Sequence, residues 1–268
     1  MKRAPLCIAV AMVMILVATS AYAHDTWLLA NAHIVRIGDP VTVSLTSGEA
    51  FPNDDFAIDL MRVKRAVVRA RGQTKLLTHP MPGKVALRYT WTPTEPSVAS
   101  FGVELLPKTL TLAPDKIEEY LGEIDASPAI RSEWKSLGGK RAWVESYAKH
   151  ATAWVRAGDT RDSSWRTPLG LGLEIVPERD PTMLRAGDTL VVRVLRGGAP
   201  KPDFAVGAIR EGTTKARFSR TDAAGRARVV LGGAGRWLLN GTDLRRSTRP
   251  TYTWESDFVT ATVYVSAR

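Results

Sequence analysis

Residues Val41 to Leu45 read VTVSL, apolar and polar in strict alternation, which is the period of a half-buried β-strand. Runs of the same kind recur as MRVKRAVVRA, KVALRYTWT and SVASFGVELL, separated by Gly and Pro. Short strands at this spacing mark a sandwich or barrel rather than a parallel sheet. Upstream, WLLANAHIVRI runs into Gly38-Asp39-Pro40, so strand, turn, strand is expected from residue 24 to 45.

The pattern breaks between Ala113 and Lys149. Pro114-Asp115 opens KIEEYLGEI, in which Ile117, Tyr120, Leu121 and Ile124 fall at helical spacing. Ser127-Pro128 opens a second helix, with a hydroxyl cap, proline at the first helical position and a Gly138-Gly139 stop. RAWVESYAKH reads as a third helical stretch. The expected arrangement is therefore a helical insertion near 114–149, acting as a lid or bracket on a mostly β chain.

Strand patterns resume after HATAWVRAGD. LGLEIVPERDP reads as a link, and about seven short strands follow, enough for an immunoglobulin-like sandwich. Thr221 to Arg226 is a turn with Asp222 at its start and Gly225 at the left-handed position. Trp237 is expected to fill the core of the strand that it opens. The fold class expected is mainly β: two immunoglobulin-like β-sandwich units with a helical insertion between them. The boundaries read from the sequence are residues 1–23 for an export signal, 24–165 for an N-terminal β unit and 166–268 for the C-terminal sandwich.

The export signal has three parts: Lys2 and Arg3, the apolar run LCIAVAMVMILVA, and a small-residue AYA ending at Ala23. The apolar run is too short to span a membrane comfortably, so a periplasmic or secreted chain with no stable membrane span is expected. Cleavage there removes Cys7, the only cysteine. The exported chain then has no disulfide, no thiolate metal site and no cysteine nucleophile. The full chain carries 37 Lys+Arg against 27 Asp+Glu. Two of those bases and no acid lie in the leader, which leaves a net charge of +8. In an exported protein that charge does not point to nucleic acid, and its basic residues are spread along strand faces.

Cleavage after Ala23 would make His24 the first residue. Its α-amine and imidazole Nδ1 can then chelate one metal ion, and the amine's ordinary pKa near 7.7–8.0 lets a metal displace its proton. A cut after Ala21 would instead place histidine third, behind Tyr22 and Ala23, giving an amine, backbone nitrogens and an imidazole. Both arrangements suit Cu(II) or Ni(II). His24 merely tolerated behind a cut site is the competing reading. Three further histidines exist: His33, expected on the returning arm of the first hairpin and so able to approach His24, His79 before Pro80, and His150 at the end of the insertion. Asp25, and Glu49, Asp54 and Asp55 of the loop GEAFPNDDF, can add oxygen ligands.

No Gly-x-Ser-x-Gly, His-Glu-x-x-His, P-loop or dinucleotide fingerprint occurs, so a non-enzymatic protein is expected. Eight tryptophans offer either core filling or a sugar-stacking platform.

Taken together, the Ala-His-Asp-Thr-Trp-Leu start, GDPVTVSLTSGEAFP, DKIEEYLGEI, YAKHATAWVRAGD, PLGLGLEIVPERDPTMLRAGDTLVVRVLRGGAP, TDAAGRARVVLGGAGRWLL and WESDFVTATV form an ordered set. The set resembles a bacterial exported family of unknown function, whose members are often labelled the periplasmic component of a cobalt or nickel transport system (NikM-like). His24, Asp25, Trp27 and Leu28 match the family's start. Members commonly carry an apolar or aromatic residue at the position of His33. They often carry a histidine after the Gly-Arg-Trp strand, where this chain reads Leu239-Asn240-Gly241-Thr242-Asp243, so a ligand there would be Asn240 or Asp243.

The resemblance and His24 together imply a protein that binds Ni, Co or Cu through His24 and Asp25 and serves an ABC-type or energy-coupling metal transporter. The expected hairpin adds His33 as a third ligand, although the resemblance argues against His33 as an obligatory one. The alternatives are a cell-envelope module that grips carbohydrate or protein without metal, and an oxidative copper enzyme needing a second histidine near His24.

Overall fold

The computed structural model describes residues 24–138 and 141–268. The expected export signal and Gly139 lie outside them.

In the first half of the chain the strands are β1 (Asp25–Ala30), β2 (Val41–Gly48), β3 (Val63–Ala70), β4 (Leu87–Trp91) and β5 (Ser97–Leu112). Helices α1 (Ile117–Glu123) and α2 (Pro128–Ser136) follow. Then come β6 (Trp143–Ala157), β7 (Leu173–Pro177), β8 (Thr189–Arg196), β9 (Ala205–Arg210), β10 (Arg217–Arg220), β11 (Arg226–Val230), β12 (Gly235–Arg246) and β13 (Trp254–Ser266).

They make three sheets. A five-stranded sheet runs β1-β2-β4 to residues 81–82, with 56–57 paired on β2. A four-stranded sheet runs β7-β8 to residues 199–200, with β11 on β8. Between them a ten-stranded sheet runs β10-β9-β12-β13-β6-β5-β3 to residues 73–76, with two short strands on β6 and β13. The protein is mainly β, and its two sandwich units share this middle sheet. The seam is β6, parallel to β13 from Glu145↔Trp254 to Ala153↔Thr262 and antiparallel to β5 from Trp143↔Leu112 to Ala157↔Ser97.

Successive side chains of a strand point to opposite faces. On β6, Ala151, Ala153 and Val155 enter the core with Leu28, Val43 and Leu45, whereas Trp154 enters the core with Leu173, Val192 and Trp237. The two small sheets therefore cover opposite faces of the middle sheet, at different ends of it. On the side of the five-stranded sheet, part of β9 and β12 is thereby left to line a cleft. Burying each large apolar side chain contributes about 1.5–3 kcal/mol, and these cores do the stabilising.

The helices cap one end. Ile117, Tyr120, Leu121 and Ile124 are buried, as their spacing predicts, against Trp143, Leu244, Trp254 and Phe258. Ser127 caps α2 by accepting from Ile130 N, and Pro128 stands in its first turn. A carboxylate inside this cluster is fully engaged. Glu145 accepts from Tyr120 Oη at 2.9 Å, from Trp143 Nε1 at 2.8 Å and from Ser256 Oγ. Three donors offset the cost of burying it.

Three local expectations are corrected. Residues 143–149 are strand, not a third helix, so the insertion closes with α2 and Gly138 instead of reaching 149. β6 has neighbours on both sides and is covered on both faces, which removes the alternation that would have revealed it. LGLEIVPERDP is no link: β7 is buried throughout and paired with β8. Trp165, the last residue of the expected N-terminal unit, packs in the second core. Lastly, β1 and β2 pair, but the chain between them detours, and Ile34–Val35 joins β6 in the middle sheet.

A cleft at the start of β1

β1 ends the five-stranded sheet at the step where that sheet stops covering the middle one. Both of its faces are therefore packed. Leu28 enters the first core, while Trp27 packs with Phe51 and Leu238 of β12. Beyond β1 the uncovered strip of middle sheet is walled by α1 and by the segment leading into β10. The result is a cleft of about 510 Å³, lined by His24, Asp25, Glu49, Glu123, Lys215 and Asn240 among others.

The cleft's polar atoms are incompletely satisfied. Asn240 Nδ2 donates to Asp25 Oδ2 at 2.8 Å, but Asn240 Oδ1 is buried without a partner, and so is His24 Nδ1. The His24 ring stacks on Phe56, centroids 5.3 Å apart. Gly207 lies opposite Asn240 in the β9–β12 register, and a Cβ there would collide with Asn240 Oδ1. The loop GEAFPNDDF folds over the mouth, with Asp55 accepting from Glu49 N at 3.2 Å. A Cβ at Gly48 would come within 2.6 Å of Asp55 and 2.8 Å of Trp27.

The electrostatics favour a cation. Burial pushes the Asp25 carboxyl above its ordinary value, while Asn240, Lys149 and His24 pull it back. Burial likewise raises Glu123, and repulsion from Glu119 and from Asp25 raises it further. Two carboxylates that repel each other across a cleft are both relieved by a positive charge placed between them. Lys149 lowers Asp25 and donates to the His24 carbonyl and, at 3.1 Å, to Thr26 Oγ1, while Lys215 lines the cleft and Lys116 lowers Glu123.

Of the expected site residues, His24 and Asp25 come together and His33 does not. His33 follows the far end of β1, six residues of strand away, or about 20 Å at about 3.3 Å per residue. Its ring stacks on Tyr264 with centroids 3.6 Å apart. His150 points to the opposite face of β6 and meets Asp257 Oδ1 at 2.9 Å. His79 is exposed in its loop at φ +53°. Among the described residues, no group of three or more His, Cys, Asp or Glu is close enough to hold a metal ion. Of the tryptophans, Trp27, Trp143, Trp154, Trp165, Trp237 and Trp254 are buried and fill cores, and Trp91 and Trp134 are half-buried.

Glu123 and Lys149 were not anticipated at this site. Lys149 had one signal in the sequence, a charge inside the otherwise small and apolar run AKHATAW. Glu123 had none, because an acid near a helix end is ordinary surface chemistry.

The fold and cleft define a two-core β-sandwich protein with a ligand-sized polar cleft where its sheets step apart. The chain belongs to the family described as domain of unknown function DUF4198, whose model matches residues 21–242. No curated protein matches the chain. Among solved structures it is similar to the Yersinia pseudotuberculosis adhesin InvE at 13% identity and TM-score 0.23, covering 88% of this chain and 58% of that one. The mouse nectin-like molecule 4 ectodomain matches at 8% and 0.21, covering 91% and 65%. Murine CEACAM1b matches at 6% and 0.21, covering 91% and 100%. The chain thus spans less than two thirds of the first two.

Proposed function

We propose that this chain is an exported binding protein that takes a divalent transition ion, Ni(II), Co(II) or Cu(II), as cargo in the cleft at His24. The observation that carries this reading is the pair of buried, unpartnered polar atoms His24 Nδ1 and Asn240 Oδ1 beside the Asp25 carboxylate. A nitrogen and oxygen donor set of this kind suits borderline ions. Processing before His24 would add the α-amine and close a chelate ring, and Asp25 and Glu123 would supply compensating charge. The NikM-like resemblance often places a histidine within residues 239–243, where this chain has none, so a ligand from that stretch would be the weaker donor Asn240 or else Asp243.

In this reading the protein holds the ion in the periplasm and passes it to an ABC-type or energy-coupling transporter. Calorimetric titration of Ni(II), Co(II) and Cu(II) into protein starting at His24, and into the same protein with one extra N-terminal glycine, tests it. Affinity should fall at least tenfold when the amine is displaced. Equal affinity for the two forms, or no heat from either, would sink the terminal chelate.

A further inference from the structure

His24 also lines a second cleft, on the other side of the imidazole, of about 260 Å³. It lies between the turn at Leu60–Arg62, the outer end of β5 and the start of β6. Arg62, Lys108 and Lys149 all face it. Asp59 is the only carboxylate among the described residues that line it, and its Oδ1 is engaged by Met61 N at 2.9 Å. None of the three cations makes an ion pair among the described residues.

The donors are partly committed and partly free. Lys149 is buried, and its ammonium donates to the His24 carbonyl and Thr26 Oγ1, which leaves one of three N–H groups unused. Arg62 Nη2 donates to Leu106 O at 2.9 Å, while its Nε is buried with no partner. Both side chains approach the Tyr147 ring, at 5.7 and 5.8 Å from its centroid. Burial disfavours the Arg62 charge, which Tyr147 and Asp59 partly restore. Crowded like charges with idle donors are stabilised by an anion that bridges them. The space is several times the ~30 Å³ share of a water molecule.

We propose that this cleft is a binding site for a small oxyanion, a carboxylate or a phosphate group, held by Arg62, Lys108 and Lys149. Lys108, which is exposed, closes the open side, Arg62 offers its Nε and Lys149 its third proton. The site needs no metal at His24 and stands whether or not one binds there.

The test is calorimetry on resin-stripped, metal-free protein at low ionic strength, with inorganic phosphate in one arm and acetate and citrate in the other. Saturable heat and a rise in the thermal midpoint are expected in at least one arm. Response to phosphate alone identifies a phosphate site, and response to the carboxylates alone a carboxylate site. Lys108→Ala, which touches no core, and Arg62→Gln should each weaken that binding about tenfold or more. Lys149→Met, apolar and of similar length, should do the same in a folded protein. Silence in both arms, or binding left unchanged in Lys108→Ala and Arg62→Gln alike, overturns the proposal.

Discussion

Asn240 of β12 donates to the carboxylate of Asp25, 215 residues earlier in the chain, at 2.8 Å. The bond ties the first residue of β1 to the part of the middle sheet that lines the cleft. It leaves the amide's oxygen buried without a partner beside Gly207, where a Cβ would collide with it.

Replacing that carboxylate separates binding from folding. Asp25 has a raised pKa, so between its ordinary 3.8 and the folded value the native state holds a proton that the unfolded chain has lost. Its contribution to stability is therefore present at low pH and declines as pH rises through that window. Asp25→Asn should remove the decline, leave the neutral-pH thermal midpoint unchanged or higher, and cut Ni(II) affinity at least tenfold. Urea unfolding from pH 4 to 7, paired with metal titration, checks all three.

Lys149 has the opposite sign of dependence. With a folded value of about 8 against an ordinary 10.5, the unfolded chain binds more protons between those limits, so stability rises with pH across them. At about 1.4 kcal/mol for each tenfold change in proton affinity, the full effect is on the order of 3 kcal/mol. Lys149→Met should flatten the curve between pH 8 and 10 in denaturant titrations. Parallel curves for the two proteins would show that the ammonium is not held this way.

On the reverse face of β6, Asp257 is pulled below its ordinary value despite burial, because His150 and Arg245 hold its charge. Its stabilisation is complete above about 4 and is lost as pH falls through the folded value. Asp257→Asn takes the carboxylate from His150 and leaves Arg245 only its longer contacts with Asp243 and Glu255, and should cost about 3 kcal/mol at pH 7 by urea unfolding. The cost should shrink on acidification.

The helical cap depends on one side chain. Trp143 stacks on Trp254 with centroids 5.0 Å apart and meets Tyr120 and Trp134 edge-on. Trp143→Ala should cost about 3–5 kcal/mol and release α1 and α2 before the sandwiches unfold. Limited proteolysis should then cut first between residues 114 and 138.

Alternation in VTVSL, helical spacing from Ile117 to Ile124, the Ser127-Pro128 cap and the Asp222–Gly225 turn were all legible in the sequence. Each is a contest between residues a few positions apart, settled by local sterics and one buried face. His24 and Asp25, which line the cleft, were singled out by a different expectation, cleavage after Ala23, and the expected approach of His33 does not occur. A detour of two residues into the middle sheet carried it to the wrong end of β1.

By itself, the sequence determined that this chain builds short strands around apolar cores without a disulfide, with two helices set among them. Only the tertiary structure decided that β6 is a strand, that one sheet serves both cores, and that Asn240, Glu123 and Lys149 gather around the start of β1. A strand covered on both faces loses the period that identifies it. A cleft is made by where one sheet ends over another, and no run of neighbouring residues encodes that offset.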